Sequence, residues 1–286
     1  MRLEVLGSGG SVTTPKPFCE CESCAQARAN GPEYSRFGPS VFVHGPDLLI
    51  DTPEEIVIQL NRSRIPRIAA CLYSHWHPDH TAGRRLFEYR MDWIGLPPHH
   101  GCTKVILPET IASTFRTKMG IMDHLQLFVR RGLVDIQTIG DDEEITCNGY
   151  AIRPRQLAID YVFGYEIRGD DKRILIVMDE LKGWMPPKDV RAAEYDLVYL
   201  PIGALDVNPI SGERLIAAEH PTLKGEQTIG ETLQIMKQLN TASFLLSHVE
   251  EPDNITLMLA EDLADYLSAE TGRPVRVAYD TLIVDV

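Results

Sequence analysis

The segment that most constrains this chain is an apolar run, Ile68-Ala69-Ala70-Cys71-Leu72-Tyr73-Ser74, that passes directly into His75-Trp76-His77-Pro78-Asp79-His80. The run has the length and composition of a buried strand. Three imidazoles and a carboxylate then fall within six residues. His75 and His77 stand two apart, so in extended backbone they share a face and can grip one cation. Pro78 breaks the strand, and the turn it starts aims Asp79 and His80 at a neighbouring position. Imidazole with carboxylate and without thiolate suits borderline cations such as Zn²⁺, Mn²⁺ or Fe²⁺. The bland alternative is a His-rich surface loop, but nine histidines in 286 residues make three in six a poor match to chance.

Short apolar runs bounded by Gly, Pro and Asp recur along the whole chain. They predict strands at Arg2–Leu6, Ser40–His44, Leu48–Asp51, Ala69–Ser74, Lys104–Leu107, Val134–Ile139, Ala151–Arg153, Val162–Ile167, Ile174–Met178, Leu197–Pro201, Ser243–Ser247, Val275–Ala278 and Leu282–Val284. Helices are expected at Glu54–Asn61, Pro108–Thr117, Gln227–Gln238 and Ile255–Ser268, and Thr228-x-x-Glu231 has the form of a capping box. No linker, repeat or low-complexity block divides the chain. The expectation is one domain over 1–286, sheet on sheet with helices outside. Residues 88–133 read as the least regular region, an insertion beside the site.

The formal charge is −13, with 41 acidic residues against 28 basic and no Lys/Arg cluster. Long nucleic acid, which needs a basic surface, is disfavoured as a partner. No apolar run approaches the roughly 18 residues that span a bilayer, and the start MRLEVLGSGG lacks the pattern of a signal peptide. The expectation is a soluble cytoplasmic protein without a membrane partner. Of six cysteines, Cys19, Cys21 and Cys24 crowd into six residues, while Cys71, Cys102 and Cys147 are scattered. Crowded thiols in such a chain suggest metal more than disulfides.

Ser-His-x-His-x-Asp-His after a hydrophobic strand resembles the signature of the metallo-β-lactamase superfamily. Other stretches resemble its landmarks in order: Leu48-Leu49-Ile50-Asp51-Thr52, Ile174-Leu175-Ile176-Val177-Met178-Asp179 and Phe244-Leu245-Leu246-Ser247-His248. The resemblance covers residues 2–250. It implies an αββα sandwich of two mixed β-sheets flanked by helices, and two divalent metal ions, zinc or manganese. Their ligands would be His75, His77, Asp79, His80, the bridging Asp179 and His248, with Asp51 orienting a ligand imidazole from behind. Cys19-Glu20-Cys21-Glu22-Ser23-Cys24 and the following Pro32-Glu33-Tyr34-Ser35-Arg36 narrow the resemblance to PhnP-type phosphodiesterases of phosphonate metabolism. Pyrroloquinoline quinone synthesis proteins share a similar triplet. In the PhnP group the three thiolates help to hold one structural zinc.

The sequence departs from that group twice. The group's fourth structural-zinc ligand is a His where this chain has Glu251, with His44 or water as other fillers. At the active site an expected His is replaced by Ala158, and Asp160 or Gln156 are the nearby candidates to fill in; otherwise one metal binds tightly and the other weakly. His220, in Ala218-Glu219-His220-Pro221-Thr222, matches a non-ligand His that protonates the leaving group, whereas His99, His100 and His124 match no landmark. Gly7-Ser8-Gly9-Gly10 reads as a tight turn near the site. The implied reaction is hydrolysis of a small phosphodiester, cyclic ones included, by hydroxide held between the metals, with Asp79 among the catalytic groups and His220 as general acid. Thioester or lactone hydrolysis on the same scaffold, and a non-catalytic metal- or small-molecule-binding protein, are the competing readings. The resemblance leans towards a homodimer.

Overall fold

Alternation along Ile174–Met178 shows why two sheets stack here. Ile174, Ile176 and Met178 pack into one core and Leu175 and Val177 into another, and all five are buried. A strand apolar on both faces must be covered on both faces. The same division holds for Leu197 and Tyr199 against Val198 and Leu200. Truncating one such residue, Ile176→Ala for example, is expected to cost about 2–5 kcal/mol.

The computed structural model describes residues 1–90 and 101–286. One seven-stranded sheet has the order Ile283–Asp285, Arg2–Gly7, Ser40–His44, Leu48–Ile50, Ala70–Leu72, Thr103–Pro108 and Val134–Ile139. Its first four strands pair antiparallel and the last four parallel. The second has the order Val275–Val277, Phe244–Ser247, Leu197–Pro201, Lys172–Ile176, Phe163–Gly169, Tyr150–Gln156 and Ile145–Cys147. There the first four strands are parallel and the remainder antiparallel. Helices Glu109–Thr117 and Ile121–Arg130 lie on the first sheet, and Leu257–Thr271 packs on the second beside Ile229–Met236. This is the αββα sandwich of two mixed sheets that the sequence led us to expect.

The predicted strands recur within about three residues, while Ile145–Cys147 and the short parallel pair Glu194–Tyr195 and Asn240–Thr241 were not predicted. Helix Ile229–Met236 starts after Thr228, whose hydroxyl accepts from Glu231 N while the Glu231 carboxylate accepts from Thr228 N, the expected capping box. The reading of 88–133 as irregular is corrected over its described part. Thr103–Pro108 lies inside the first sheet, and Ile121–Arg130 buries Ile121, Met122, Leu125 and Phe128. Their i, i+1, i+4, i+7 spacing is an amphipathic helix face. Helix Glu22–Asn30 was also missed. It has no apolar periodicity and starts at Cys21, whose side chain caps Cys24 N. Among the described residues no helix is long and apolar enough to cross a membrane.

In each sheet the parallel strands end on the same side, and their carboxyl ends are where loops deliver Asp51, His75, Asp179 and His248. Open α/β sheets place their ligands at such ends.

Candidate metal centres

After Leu72 the chain runs on to His77, and Pro78 opens a helical turn, Pro78–Thr81. That single turn carries Asp79 and His80 back beside His75, whose ring centroid lies 4.2 Å from that of His80. His80 Nδ1 donates to Asp51 Oδ2 at 2.7 Å. A carboxylate only accepts, so Nδ1 carries the proton it gives and Nε2 is the nitrogen left for a metal. Ser74 Oγ gives its one proton to Asp51 at 2.7 Å and therefore accepts from His75 Nδ1 at 3.0 Å. His75 Nε2 is thereby also left with a lone pair. Asp51 thus fixes one imidazole directly and another through Ser74.

The freed nitrogens converge. His75 Nε2, His80 Nε2 and His248 Nε2 are buried and have no hydrogen-bond partner. Asp179 Oδ2 lies 3.9 Å from His75 Nε2, 3.6 Å from His80 Nε2 and 3.3 Å from His248 Nε2. Asp79 Oδ2 is 3.2 Å from His80 Nε2 and 4.0 Å from His248 Nε2. Ligands bound near 2.1 Å sit roughly 3.0–3.5 Å from one another, so these spacings fit donors around a shared cation. Two groups result, with Asp179 common to both: His75, His77, Asp179 and Glu180, and Asp79, His80, Asp179 and His248. Burial, reinforced by the other imidazoles, pushes His75 well below the usual histidine range, so it is the neutral ligand form. For Asp179, burial is outweighed by His248 and His80, which hold it well below the usual carboxylate range.

The structure brings together all six residues singled out from the sequence and adds a seventh, Glu180. His77 Nδ1 lies 3.6 Å from Glu180 Oε1. Asp160 and Gln156 do not fill the position opposite Ala158. All three are exposed, and Gln156 Nε2 donates to the Asp160 carbonyl at 2.6 Å. Glu180 left no signal in the sequence beyond its place after Asp179. Three of the positions around the cluster, Asp51, Glu180 and His248, have left-handed backbone, with φ of 63°, 58° and 57°. Non-glycine residues adopt it at some cost and gather at functional sites. Gly10 faces them: a Cβ there would sit 2.6 Å from His248 Cε1, so only glycine allows this close approach of the turn.

A separate cluster holds Cys19, Cys21, Cys24 and Glu251. Glu251 Oε1 lies 3.4 Å from Cys21 Sγ and 3.3 Å from Cys24 Sγ. Bonds of about 2.3 Å to sulfur and 2.0 Å to oxygen give a tetrahedral edge of about 3.5 Å, so the geometry suits zinc. His44 is not the filler, because its Nε2 pairs with Glu4 at 2.8 Å. Lys16 Nζ meets the other Glu251 oxygen at 2.6 Å. The whole excursion from Ser8 to Ser40 is held a second time by buried Asp280, which accepts from Ser8 N, Ser8 Oγ, Ser35 Oγ and Phe37 N.

His248, Asp179 and Glu180 open on a cavity of about 550 Å³. Exposed His220 lines its mouth, and its Nδ1 accepts from Thr222 N at 3.3 Å. Glu226, Glu250 and Asp253 add carboxylates to the wall, Leu215 and Ile216 add apolar surface, and among the described residues no Lys or Arg lines it. His124 sits against Phe128 on the helix Ile121–Arg130. His99 and His100 lie outside the described residues.

With this geometry in hand, comparison with solved structures defines the fold. Zn²⁺-bound PqqB from Methylobacterium extorquens superposes with a TM-score of 0.74 at 18% identity, covering all of both chains. A diphosphatase of the PhnP family gives 0.69 at 21% identity, covering 100% of this chain and 97% of its own. The metallo-β-lactamase fold protein YhfI from Bacillus subtilis gives 0.67 at 13% identity, covering 99% of each. The chain therefore has the metallo-β-lactamase fold. No protein-family model matches the sequence, and no curated protein is significantly similar to it.

Proposed function

We propose that the chain is a metal-dependent hydrolase acting on a small phosphodiester. The observation that carries this reading is the convergence of three buried, unpartnered imidazole nitrogens on Asp179 at the floor of an open cavity. Residues His75, His77, Asp79, His80, Asp179 and His248 would hold two divalent ions, and Cys19, Cys21, Cys24 and Glu251 a structural zinc. Bound divalent ions supply Lewis acidity towards the ester oxygens and lower the pKa of water to about 7.

The protein's own part is positioning and proton delivery. Asp51 and Ser74 hold the two buried imidazoles in one tautomer, and Asp79 orients groups on the His80 side. His220, at the cavity mouth, donates a proton to the departing alkoxide as general acid. A wall of carboxylates with no Lys or Arg among the described residues repels polyanions and leaves a substrate's single negative charge to be met on the metal side. A diester carries one such charge. The same wall equally admits a neutral ester, so thioester or lactone hydrolysis is the second reading.

Metal content measured together with turnover of a nitrophenyl phosphodiester, a nitrophenyl monoester, a thioester and a lactone tests the proposal. The diester should be turned over fastest and the dianionic monoester poorly. Turnover confined to the thioester or lactone would favour the second reading, and metal-loaded protein inert towards all four would overturn hydrolysis.

A further inference from the structure

We propose that Glu180 is itself a metal ligand, so that each of the two metal positions has two imidazoles and two carboxylates, with Asp179 shared. This rests on the reading of the cluster as a two-metal site. The Glu180 carboxylate stands with His75 Nε2, His77 Nδ1 and Asp179 in a group of donor atoms all within 4.8 Å of one another. Its Oε1 is 3.6 Å from His77 Nδ1, the spacing of neighbouring ligands. No described residue gives this carboxylate a hydrogen bond, although its side chain is only 15% exposed and adjoins a second carboxylate, Asp179. Two carboxylates brought together repel each other, and a cation bound between them would relieve that repulsion.

The backbone is a second, independent sign. Glu180 adopts φ 58°, a conformation that disfavours a long side chain and suits Gly or Asn. The left-handed kink turns the residue after Asp179 into the cluster. On the other side, buried His75 Nε2 has no partner of its own and faces the same space. Counting donors, the first position takes His75, His77, Asp179 and Glu180, and the second His80, His248, Asp79 and Asp179. Four imidazoles and three carboxylates form an oxygen-rich set. Carboxylate donors shift preference from Zn²⁺ towards Mn²⁺ and, with imidazole, Fe²⁺.

The test is equilibrium dialysis of the full chain against Mn²⁺, with the cysteine cluster kept zinc-loaded, followed by metal analysis and Mn²⁺ electron paramagnetic resonance. Wild type should take up two manganese ions per chain with a spin-coupled signal. Glu180→Gln and Glu180→Gly should retain one, bind the second more than about 10-fold more weakly, and lose the coupled signal, and His77→Ala should do the same. Glu180→Gly relieves the left-handed backbone, so its metal-free form should melt no lower than wild type; a loss of metal without a loss of fold marks a ligand. Glu180→His should keep two ions but move the zinc-to-manganese affinity ratio towards zinc by about 10-fold. Two ions bound with wild-type affinity by Glu180→Gln and Glu180→Gly would overturn the assignment. A wild-type protein that takes up no manganese would overturn the two-metal reading with it, and is distinguished by His77→Ala and His248→Ala then changing nothing.

Discussion

The histidine cluster and the cysteine cluster solve the same problem with opposite materials. The imidazoles and carboxylates sit where strands end, on backbone that two sheets already fix: Asp51 follows Leu48–Ile50, and His248 follows Phe244–Ser247. The thiols sit on an excursion between two strands, with one short helix and little apolar packing of its own. The first region has scaffold to spare and can hold strained residues and unpartnered nitrogens. The second has little scaffold, and on the proposed reading its cluster would serve to hold it. Metal should therefore matter to chemistry in one region and to stability in the other.

The sharpest way to break this contrast is at Asp179. Asp179→Ala removes the donor common to both proposed metal positions and should lower activity more than about 10³-fold, while the metal-free protein should melt within a few degrees of wild type, because the two sheets fix this region and His80 and His248 can release their protons once the facing carboxylate has gone. A large fall in the melting temperature of the metal-free variant would show that the histidine region is structural too. Conversely, changing Cys19, Cys21 and Cys24 together to Ser should remove one zinc and lower the melting temperature by about 5–10 °C, the size expected for 2–3 kcal/mol in a chain of this length. Calorimetry with zinc analysis decides it, and unchanged values for both would reduce these cysteines to ordinary thiols.

Two finer predictions concern what stands behind the ligands. Asp51→Asn keeps a residue that tolerates φ 63° but removes the charge facing His80, and should weaken active-site metal binding by about 10–100-fold, read by competition with a chelating dye. His220→Ala should keep both metals and lose about 100-fold on an alkyl diester while retaining most turnover of a nitrophenyl diester, whose leaving group needs no proton. Equal losses on both would end its role as acid.

The smallest effect belongs to Asp280, the second fastening of the cysteine region. Burial pushes its carboxyl up to about 6, against the hydrogen bonds from Ser35 and Ser8. A carboxyl raised in the folded state favours folding fully below its unfolded pKa of 3.8, and that contribution is lost as pH rises through about 6. Stability should thus decline by about 2 kcal/mol between pH 4 and 7 on this account, and the carboxyl resonance of Asp280 should titrate near 6. A titration midpoint below 4 would show that the four donors outweigh burial.

What could be read beforehand follows the same division. Asp51, His75, Asp179 and His248 each close an apolar strand, so local pattern announces both the strand and the residue at its end. Glu180 has no such marker: among 41 acidic residues it is one more, and only the sign of its φ turns it inward. Asp160 and Gln156 looked suitable because alternation along an extended strand was assumed to continue. It stops at Gln156, the last residue of Tyr150–Gln156. Helix Glu22–Asn30 was invisible for a related reason, since its start is set by a thiol cap and its position by Glu251, some 230 residues away.

That separation bears on how the chain comes to be folded. Cys21 meets Glu251 across 230 positions and Ser8 meets Asp280 across 272, so the cysteine region closes only after the segments around Glu251 and Asp280 have been made. Contacts of such range slow folding, because the entropy of closing the loop is lost before the contact rewards it. Yet each cluster has a local half: three thiols within six residues, and three imidazoles with a carboxylate within six. A nascent chain therefore carries part of each cluster long before it carries either one complete. On the metal reading proposed above, metal present during synthesis would meet those fragments first, and the last strands would then arrive to enclose it.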